Sequence, residues 1–230
     1  MFPISDENPI RITPYVTYAL IVVNVIVFLF ELTLSQPNLQ DFLYAWAMIP
    51  CQLTNICSVS LPVSSHPEAL TLITSQFLHG GWMHLLGNML FLWIFGNNIE
   101  DCLGHFKFII FYLTCGIFAA LTQWFFSASS PIPSLGASGS IAGILGAYIL
   151  RYPKAQILTI IPLGIPIPVR VSALFFLGIW FLQQALYSLA TLSVPMNVGL
   201  EGGIAYWAHS GGFIAGIILG PLLGLFSNQE

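Results

Sequence analysis

Two residues of this 230-residue chain have side chains suited to nucleophilic chemistry and lie among glycines. Ser138 is in the small-residue turn Gly136–Ser140, and His209 is in the similar segment Ala208–Gly212. A serine hydroxyl becomes a good nucleophile when a base takes its proton, and an imidazole is suited to that task near neutral pH. The sequence therefore predicts Ser138 as a nucleophile and His209 as its general base.

A third polar group consists of His84 and Asn88, whose spacing of four residues places both side chains on one face of a helix. Their N–H groups suit an oxyanion hole, to which the backbone N–H of Ser138 would add another donor. Neither residue is acidic, so the segment lacks the glutamate of a zinc-binding His-Glu-x-x-His helix. We therefore predict an oxyanion hole of His84, Asn88 and the Ser138 amide, with no metal and no cofactor.

The composition indicates where this chemistry would take place. Hydrophobic residues make up 57% of the chain and charged residues only 6%, which is typical of a polytopic membrane protein. The formal charge of -4 provides no basic surface for a phosphate backbone. The predicted partner is therefore a lipid bilayer and not a nucleic acid.

Apolar runs of roughly 20 residues are needed to cross a bilayer as helices. We predict six spans, at residues 15–34, 82–99, 105–126, 137–150, 171–193 and 204–226. The first is too long for the apolar part of a signal peptide, so it is predicted to be retained. The fourth, which carries Ser138, is short and must have one end buried by its neighbours. The predicted fold class is all-α, a six-transmembrane-helix bundle that forms a single membrane domain over residues 1–230.

The connection 35–81 is too long and too aromatic for a plain linker, which favours short helices lying at the membrane interface. It contains Cys51 and Cys57. A disulfide between them and two free thiols are equally compatible with the sequence.

Lysine and arginine residues in short loops are retained on the cytoplasmic side of a membrane. If the N-terminus is inside, all five cations fall on the inner side: Arg11, Lys107, Arg151, Lys154 and Arg170. The three outer connections contain none. Both termini are therefore predicted to be cytoplasmic, with the site opening to the outer side.

The predicted spans bring the polar residues to a similar depth. At about 1.5 Å per residue, Ser138 lies roughly 20 Å from the inner end of its span, His84 roughly 24 Å and His209 roughly 27 Å. All three are then in the outer part of the bilayer, within reach of water. An unrelated set of polar residues would be scattered in depth.

Glycines on two spans are predicted to bring the nucleophile and base together. Gly212 and Gly216 form a flat face on the last span, and Gly139 offers a small surface on the fourth. An alternative is that these glycines only pack helices and that Ser138 and His209 satisfy each other as a buried pair. The third polar group at the same depth favours a reactive site. Other polar residues within spans are interpreted as interhelical contacts: Asn24, Gln123, Gln183 and Gln184.

Three separated motifs give the chain a resemblance to the rhomboid intramembrane serine proteases. They are the Gly-x-Ser-Gly turn at Gly136–Gly139, the last-helix motif Ala208–Gly216, and the His-x-x-x-x-His-x-x-x-Asn segment from His79 to Asn88. The similarity extends over all six predicted spans. It implies a catalytic dyad of Ser138 and His209 without an acid, an oxyanion hole at His84, Asn88 and the Ser138 amide, and cleavage of other proteins' transmembrane segments.

The resemblance also implies structural roles for residues around the dyad. Gly136, Gly139, Gly212 and Gly216 match packing positions, as does His79, and Glu100 matches an acidic residue that ties the end of the second span. The position four residues after the nucleophile, often an aromatic residue that stacks on the base, is Ala142. Aromatic support for His209 is therefore expected to come from elsewhere or to be weaker.

The leading functional hypothesis is peptide-bond hydrolysis within the membrane, acting on single-span substrates that enter past the fifth span. An inactive relative that binds membrane proteins is a second hypothesis, although such relatives usually lack the serine or histidine. A small transporter or channel is a third, but it would favour intramembrane charges and repeats that the sequence lacks. The short N-terminus and six-span core suggest a bacterial plasma membrane. No oligomeric state is predicted.

Overall fold

A computed structural model describes residues 2–62, 66–163, 165–192 and 205–227. Most of these residues are helical. The elements in chain order are β1 (Phe2–Asp6), α1 (Tyr15–Thr33), α2 (Gln36–Trp46), α3 (Pro50–Leu53), α4 (Thr71–Thr74), α5 (Trp82–Phe91), α6 (Asn97–Leu103), α7 (His105–Phe126), α8 (Ser138–Arg151), β2 (Gln156–Leu163), β3 (Ile165–Ser172), α9 (Ala173–Thr191) and α10 (Tyr206–Leu223). A π-helical turn, Leu92–Gly96, joins α5 to α6 without a break.

Within the part of the chain that the structure describes, four helices are long and apolar enough to cross a membrane: α1, α7, α9 and α10. Their bounds follow the apolar runs of the sequence, and α7 coincides with the predicted span 105–126. Helix α8 has 14 residues, and α5 has 10 before the π-helical turn, so neither reaches that length on its own. The prediction of a mostly helical membrane protein is confirmed, whereas the count of six crossings stays a prediction.

Helix α8 lies at the centre of the fold. Every residue from Gly139 to Tyr148 is buried, so this part of the helix has no face left for lipid. It packs against α7 and α10, and Phe95 contacts the ring of Tyr148 at a centroid distance of 5.0 Å, before the exposed end of the helix at Leu150 and Arg151. A helix too short to span the bilayer can keep its backbone ends out of hydrocarbon only when neighbours cover them. The position of α8 satisfies that requirement.

The all-α prediction is wrong in one region, because the described residues include a three-stranded antiparallel sheet in the order β1-β2-β3. Strand β1 pairs with β2 from Phe2↔Ile160 to Asp6↔Ile157, and β2 pairs with β3 from Gln156↔Ser172. The run of isoleucine, valine and threonine in 156–172 has high β-propensity. No apolar run of membrane length lies between the fourth and fifth predicted spans, so the sequence predicts an inner loop over most of this stretch.

The long connection after α1 packs on the segment that precedes α8. Met48 and Ser134 exchange two backbone hydrogen bonds, of 3.1 and 2.8 Å, and the Cys51 N–H donates to the Ser130 carbonyl. Cys51 and Cys57 form a disulfide, which decides between the two alternatives that the sequence left open. Short helices are present here as predicted, and their location at a membrane interface stays a prediction.

Buried carboxylates tie the beginning of α1 to α6. Glu100 is fully buried and accepts hydrogen bonds from the backbone N–H of Val16 (2.9 Å), the N–H of Thr17 (2.7 Å) and the Thr17 hydroxyl (2.6 Å). The imidazole Nδ1 of His105 lies 2.6 Å from the same carboxylate. Glu100 thus satisfies N–H groups that the first turn of α1 leaves without a helical partner.

Candidate active site

Ser138 begins helix α8, directly after a turn that requires glycine. Gly136 has φ +119°, a conformation that residues with a Cβ rarely adopt, and its N–H donates to the Ser75 carbonyl at 2.8 Å. The turn places the serine at the N-terminal end of α8, where its backbone N–H is not used within the helix. The Ser138 side chain is partly exposed, so a substrate can reach its hydroxyl.

His209 lies in the first turn of α10 and faces Ser138. Its Nε2 atom is 2.8 Å from the Ser138 Oγ, within hydrogen-bond distance. The two residues come from helices that are far apart in sequence. The structure therefore brings together the serine and histidine that the sequence singled out.

Contacts between glycines bring α8 and α10 close enough for this hydrogen bond. A Cβ atom added to Gly216 would collide with the carbonyl oxygen of Gly143, and one added to Gly212 would collide with that of Gly139. These neighbours are backbone atoms, which cannot move aside as a flexible side chain can. The spacing of the two helices thus depends on the absence of side chains at Gly212 and Gly216, in agreement with the packing role expected for them.

The second nitrogen of His209 has a partner that the sequence analysis did not assign. The Oε1 atom of Gln184, on α9, lies 2.9 Å from His209 Nδ1. Gln184 is buried, whereas its neighbour Gln183 is exposed. The sequence predicts interhelical contacts for both, because a glutamine pair in an apolar run does not reveal which member faces the protein interior. The available sequence signal for Gln184 was a polar side chain within an apolar span.

The aromatic neighbour of His209 is Trp180, which also comes from α9. The ring centroids are 5.9 Å apart, with an angle of 33° between the planes. Ala142, at which the resemblance would place an aromatic residue, is fully buried beside Gly212. Of the two expectations, support from elsewhere and weaker support, the first has a structural counterpart in Trp180, one turn before Gln184 on the same helix.

His84 and Asn88 approach the site from α5, on the other side of Gly136. A Cβ at Gly136 would lie 2.6 Å from the His84 Nε2 and 3.6 Å from the Asn88 Nδ2. The N–H of Gly80 donates to the His84 Nδ1 at 3.3 Å. The hydrogen of the neutral His84 imidazole is then on Nε2, which makes this atom a donor on the side of Gly136.

His79 supports this donor pair from the loop before α5. Its Nε2 lies 3.0 Å from the Asn88 Nδ2, and its ring centroid is 5.2 Å from that of His84. The backbone N–H of His79 points at the buried carboxylate of Glu31 on α1, with distances of 3.3 and 3.4 Å to the two oxygens. The sequence analysis singled out His79 but not Glu31.

The arrangement has the parts needed for acyl transfer. A hydroxyl lies within hydrogen-bond distance of an imidazole nitrogen, the other nitrogen has an acceptor, and N–H donors lie beside the turn that carries the hydroxyl. Among the described residues, no group of histidine, cysteine, aspartate or glutamate side chains is arranged to hold a metal ion.

Comparisons with known proteins identify relatives of the chain. The profile of the Rhomboid domain family matches residues 66–226. The rhomboid protease GluP of Bacillus subtilis is 34% identical over 69% of this chain and 28% of its own length. The mitochondrial rhomboid protein 1 of Saccharomyces cerevisiae is 31% identical over 66% of this chain and 41% of its own length. The chloroplastic rhomboid-like protein 11 of Arabidopsis thaliana is 30% identical over 71% of this chain and 56% of its own length.

The matched regions thus cover between about a quarter and just over half of these relatives. The family match includes α5 to α10, which contribute Ser138, His209, Gln184 and the donor pair His84 and Asn88. The chain is a membrane protein of the rhomboid family.

Proposed function

We propose that the protein is an intramembrane serine endopeptidase, which hydrolyses peptide bonds in or near the transmembrane segments of other membrane proteins. The observation that carries the proposal is the 2.8 Å contact between the Ser138 Oγ and the His209 Nε2, at the partly exposed end of a helix that is buried from Gly139 to Tyr148. Membership of a family that includes a relative named as a protease supports it. No cofactor enters the proposed reaction.

In the proposed acylation step, His209 Nε2 takes the Ser138 proton while Oγ attacks the carbonyl carbon of the scissile peptide bond. The negative charge that develops on the carbonyl oxygen is stabilised by the N–H of Ser138, the His84 Nε2–H and the Asn88 amide. The His209 imidazolium then gives its proton to the leaving nitrogen, and the C–N bond breaks. An acyl group remains on Ser138.

Deacylation repeats these roles with water as the nucleophile. His209 takes a proton from water, the resulting hydroxide attacks the acyl ester, and the proton returns to Ser138 Oγ as the C–O bond breaks. Water must therefore reach a residue within a membrane protein. The partial exposure of both Ser138 and His209 supports this requirement.

The proposed membrane arrangement has six crossings, with α5–α6 and α8 added to the four long helices. Both termini are cytoplasmic, because the cations of the sequence then fall on one side. The site opens to the opposite side, and substrates with a transmembrane segment reach it from the bilayer. The relatives come from mitochondria, chloroplasts and a bacterium, so assignment to a bacterial plasma membrane stays a prediction.

Cleavage of a model transmembrane substrate in liposomes tests the proposal. Ser138→Ala and His209→Ala should each lower kcat by at least about 10⁴-fold, because each removes a reacting group. Ser140→Ala is a matched control, since the Ser140 hydroxyl donates to the Gln76 Oε1 at 3.0 Å and not to His209. It should remain active.

A serine-reactive phosphonate provides an independent readout, because it should label the wild-type protein and Ser140→Ala but not Ser138→Ala. Full cleavage by folded Ser138→Ala or His209→Ala would rule out the mechanism. Substrate binding without cleavage or labelling in the wild type would instead indicate an inactive family member.

A further inference from the structure

The His209 ring is held from both sides. Its Nε2 lies 2.8 Å from the Ser138 Oγ, and its Nδ1 lies 2.9 Å from the Oε1 atom of Gln184. The Gln184 side chain is only 7% exposed, so little water competes for its carboxamide oxygen. The contact therefore restrains the ring within the folded protein.

The chemical identity of the Gln184 atom fixes the protonation state of the ring. A carboxamide oxygen carries no hydrogen, so it can only accept a hydrogen bond. The Nδ1 atom of a neutral His209 must then carry the hydrogen, which leaves the lone pair on Nε2 facing the Ser138 hydroxyl. The opposite tautomer would present an N–H to Ser138 and could not take its proton.

Contacts along the same interface hold Gln184 in place. One turn after it, the Ser188 hydroxyl donates to the Gln184 backbone carbonyl at 2.8 Å and lies 3.1 Å from the hydroxyl of Ser210. The rings of Phe181 and Phe213 stack beside these residues with centroids 4.4 Å apart. Helix α9 thus makes polar contacts with two consecutive residues of α10, His209 and Ser210.

A neutral acceptor fits this position better than a carboxylate would. A charged side chain within a span loses its hydration, and an isolated buried charge is costly. The carboxamide provides an acceptor for Nδ1–H and, after proton transfer, a dipole directed at the imidazolium, without placing a permanent charge beside it.

We propose that Gln184 is a positioning residue that holds His209 in the Nδ1–H tautomer. The reactivity of Ser138 then depends on how α9 packs against α10. The proposal rests on the proposed function, in which His209 is the base. It assigns to Gln184 the task that a third residue performs in many hydrolases, namely orientation of the base. Gln184 does not contact the reacting atoms.

The tautomer can be measured without any turnover. Imidazole ¹⁵N NMR of the full chain in lipid nanodiscs distinguishes a protonated from an unprotonated ring nitrogen, and His209→Ala identifies the His209 signals. The wild type and Gln183→Leu should show Nδ1 protonated and Nε2 unprotonated. Gln184→Leu should show a mixture. Gln183→Leu is the matched control because it makes the same change on the same helix at an exposed position.

Kinetics provide the second readout. Loss of a hydrogen bond to a group that becomes charged should lower kcat of Gln184→Leu by about 10- to 100-fold. The KM should stay within about twofold of the wild-type value, because Gln184 contacts His209 and not the substrate. Gln183→Leu should keep wild-type kcat and KM. A purely structural role would reduce the folded fraction without changing the tautomer of the molecules that remain folded.

An unchanged Nδ1–H tautomer or an unchanged kcat in folded Gln184→Leu would overturn the proposal. If that variant does not fold, Gln184→Glu decides, since it has the same reach and keeps an acceptor oxygen. Its folded form should keep a hydrogen on the His209 Nδ1, and loss of that hydrogen would contradict the inference. An inactive wild type that still shows the Gln184-dependent tautomer would refute the proposed function and leave the positioning role intact.

Discussion

At the end of the molecule where α1 meets α6, carboxylates hold backbone N–H groups, whereas at the other end the side chains that contact His209 are neutral and meet beside a contact between glycines. Glu100 accepts from Val16 and Thr17, and Asp101 accepts the N–H groups of Arg11 and Ile12 at 2.7 and 3.0 Å. The groups bonded to His209 are a hydroxyl and a carboxamide.

The difference corresponds to two different tasks. A buried carboxylate with several donors fixes the chain strongly, because leaving any of its partners unpaired is costly. A group that must gain and lose a proton needs neighbours that tolerate both of its charge states. Hydroxyls and carboxamides meet that need, and the geometry between them is then maintained by helix packing instead of by ion pairs.

Among changes that leave the reacting side chains in place, the largest expected effect comes from breaking the helix packing at the Ser138 end. Gly216→Ala places a Cβ atom on the Gly143 carbonyl, so α8 and α10 must separate. Because a displacement of about 1 Å can cost 10²-fold in rate, we expect kcat to fall by at least about 100-fold, together with a lower unfolding temperature. Substrate cleavage and thermal unfolding in detergent measure the two effects.

Gly178→Ala is the matched control, since a Cβ there meets no atom within 4 Å. It should leave kcat unchanged and raise the free energy of unfolding by up to about 1 kcal/mol through helix propensity. Equal losses of kcat and of unfolding temperature in the two variants would contradict the role of close helix approach at Gly216.

A smaller effect is expected from the carboxylates at the other end. Glu100→Gln replaces an acceptor-only group by one that carries an N–H₂, and the donors of Val16 and Thr17 can no longer all be satisfied. The free energy of unfolding should fall by about 2–3 kcal/mol, measured by denaturant titration in mixed micelles. The cleavage rate of the remaining folded protein should change little.

Glu7→Gln is the comparison for that experiment. Glu7 pairs with Arg170 at 2.6 Å, but the two side chains are 45% and 66% exposed, and such surface pairs contribute about 1 kcal/mol or less. A similar loss in both variants would contradict the special role of burial at Glu100.

The smallest expected effect is a pH dependence at Asp6. Burial raises the pKa of this carboxyl, against hydrogen bonds from Tyr148, Asn8 and Asn98 that act to lower it. A pKa raised on folding means that the folded state favours the protonated form. The resulting stabilisation is present below the unfolded pKa and is lost as the pH rises through the folded pKa.

The unfolding temperature of the wild-type protein should therefore rise relative to that of Asp6→Asn as the pH falls from neutral to acid. Asp41→Asn changes an exposed position of α2, and its unfolding temperature should vary with pH in the same way as that of the wild type. A constant difference in unfolding temperature between wild type and Asp6→Asn across the pH range would show that burial does not shift the pKa of Asp6.

The sequence allowed the long helices and the Ser138–His209 contact to be predicted, for identifiable reasons. Apolar runs such as 105–126 determine where a helix can lie in a membrane, and glycines at Gly212 and Gly216 indicate a close helix approach. These signals are local and do not depend on the details of side-chain packing.

Other features could not be predicted in the same way. The choice between Gln183 and Gln184 depends on the rotation of α9 against α10, which no local pattern specifies. The pairing of β1 with β2 was missed because the two strands are separated by most of the chain, and such a pairing has no sequence periodicity of its own. Trp180 was not singled out because its proximity to His209 also depends on the rotation of α9.

The pairing of β1 with β2 has a consequence for membrane topology. Two strands of one sheet must lie on the same side of a bilayer, so the chain between Asp6 and Gln156 crosses an even number of times. Helices α1, α5–α6, α7 and α8 can therefore contribute two or four crossings, but not one or three. The four long helices alone satisfy this rule, with α1 and α7 as the two crossings before β2, and so does the proposed arrangement of six crossings, with four before β2. A fusion reporter inserted after α6 distinguishes the two even counts.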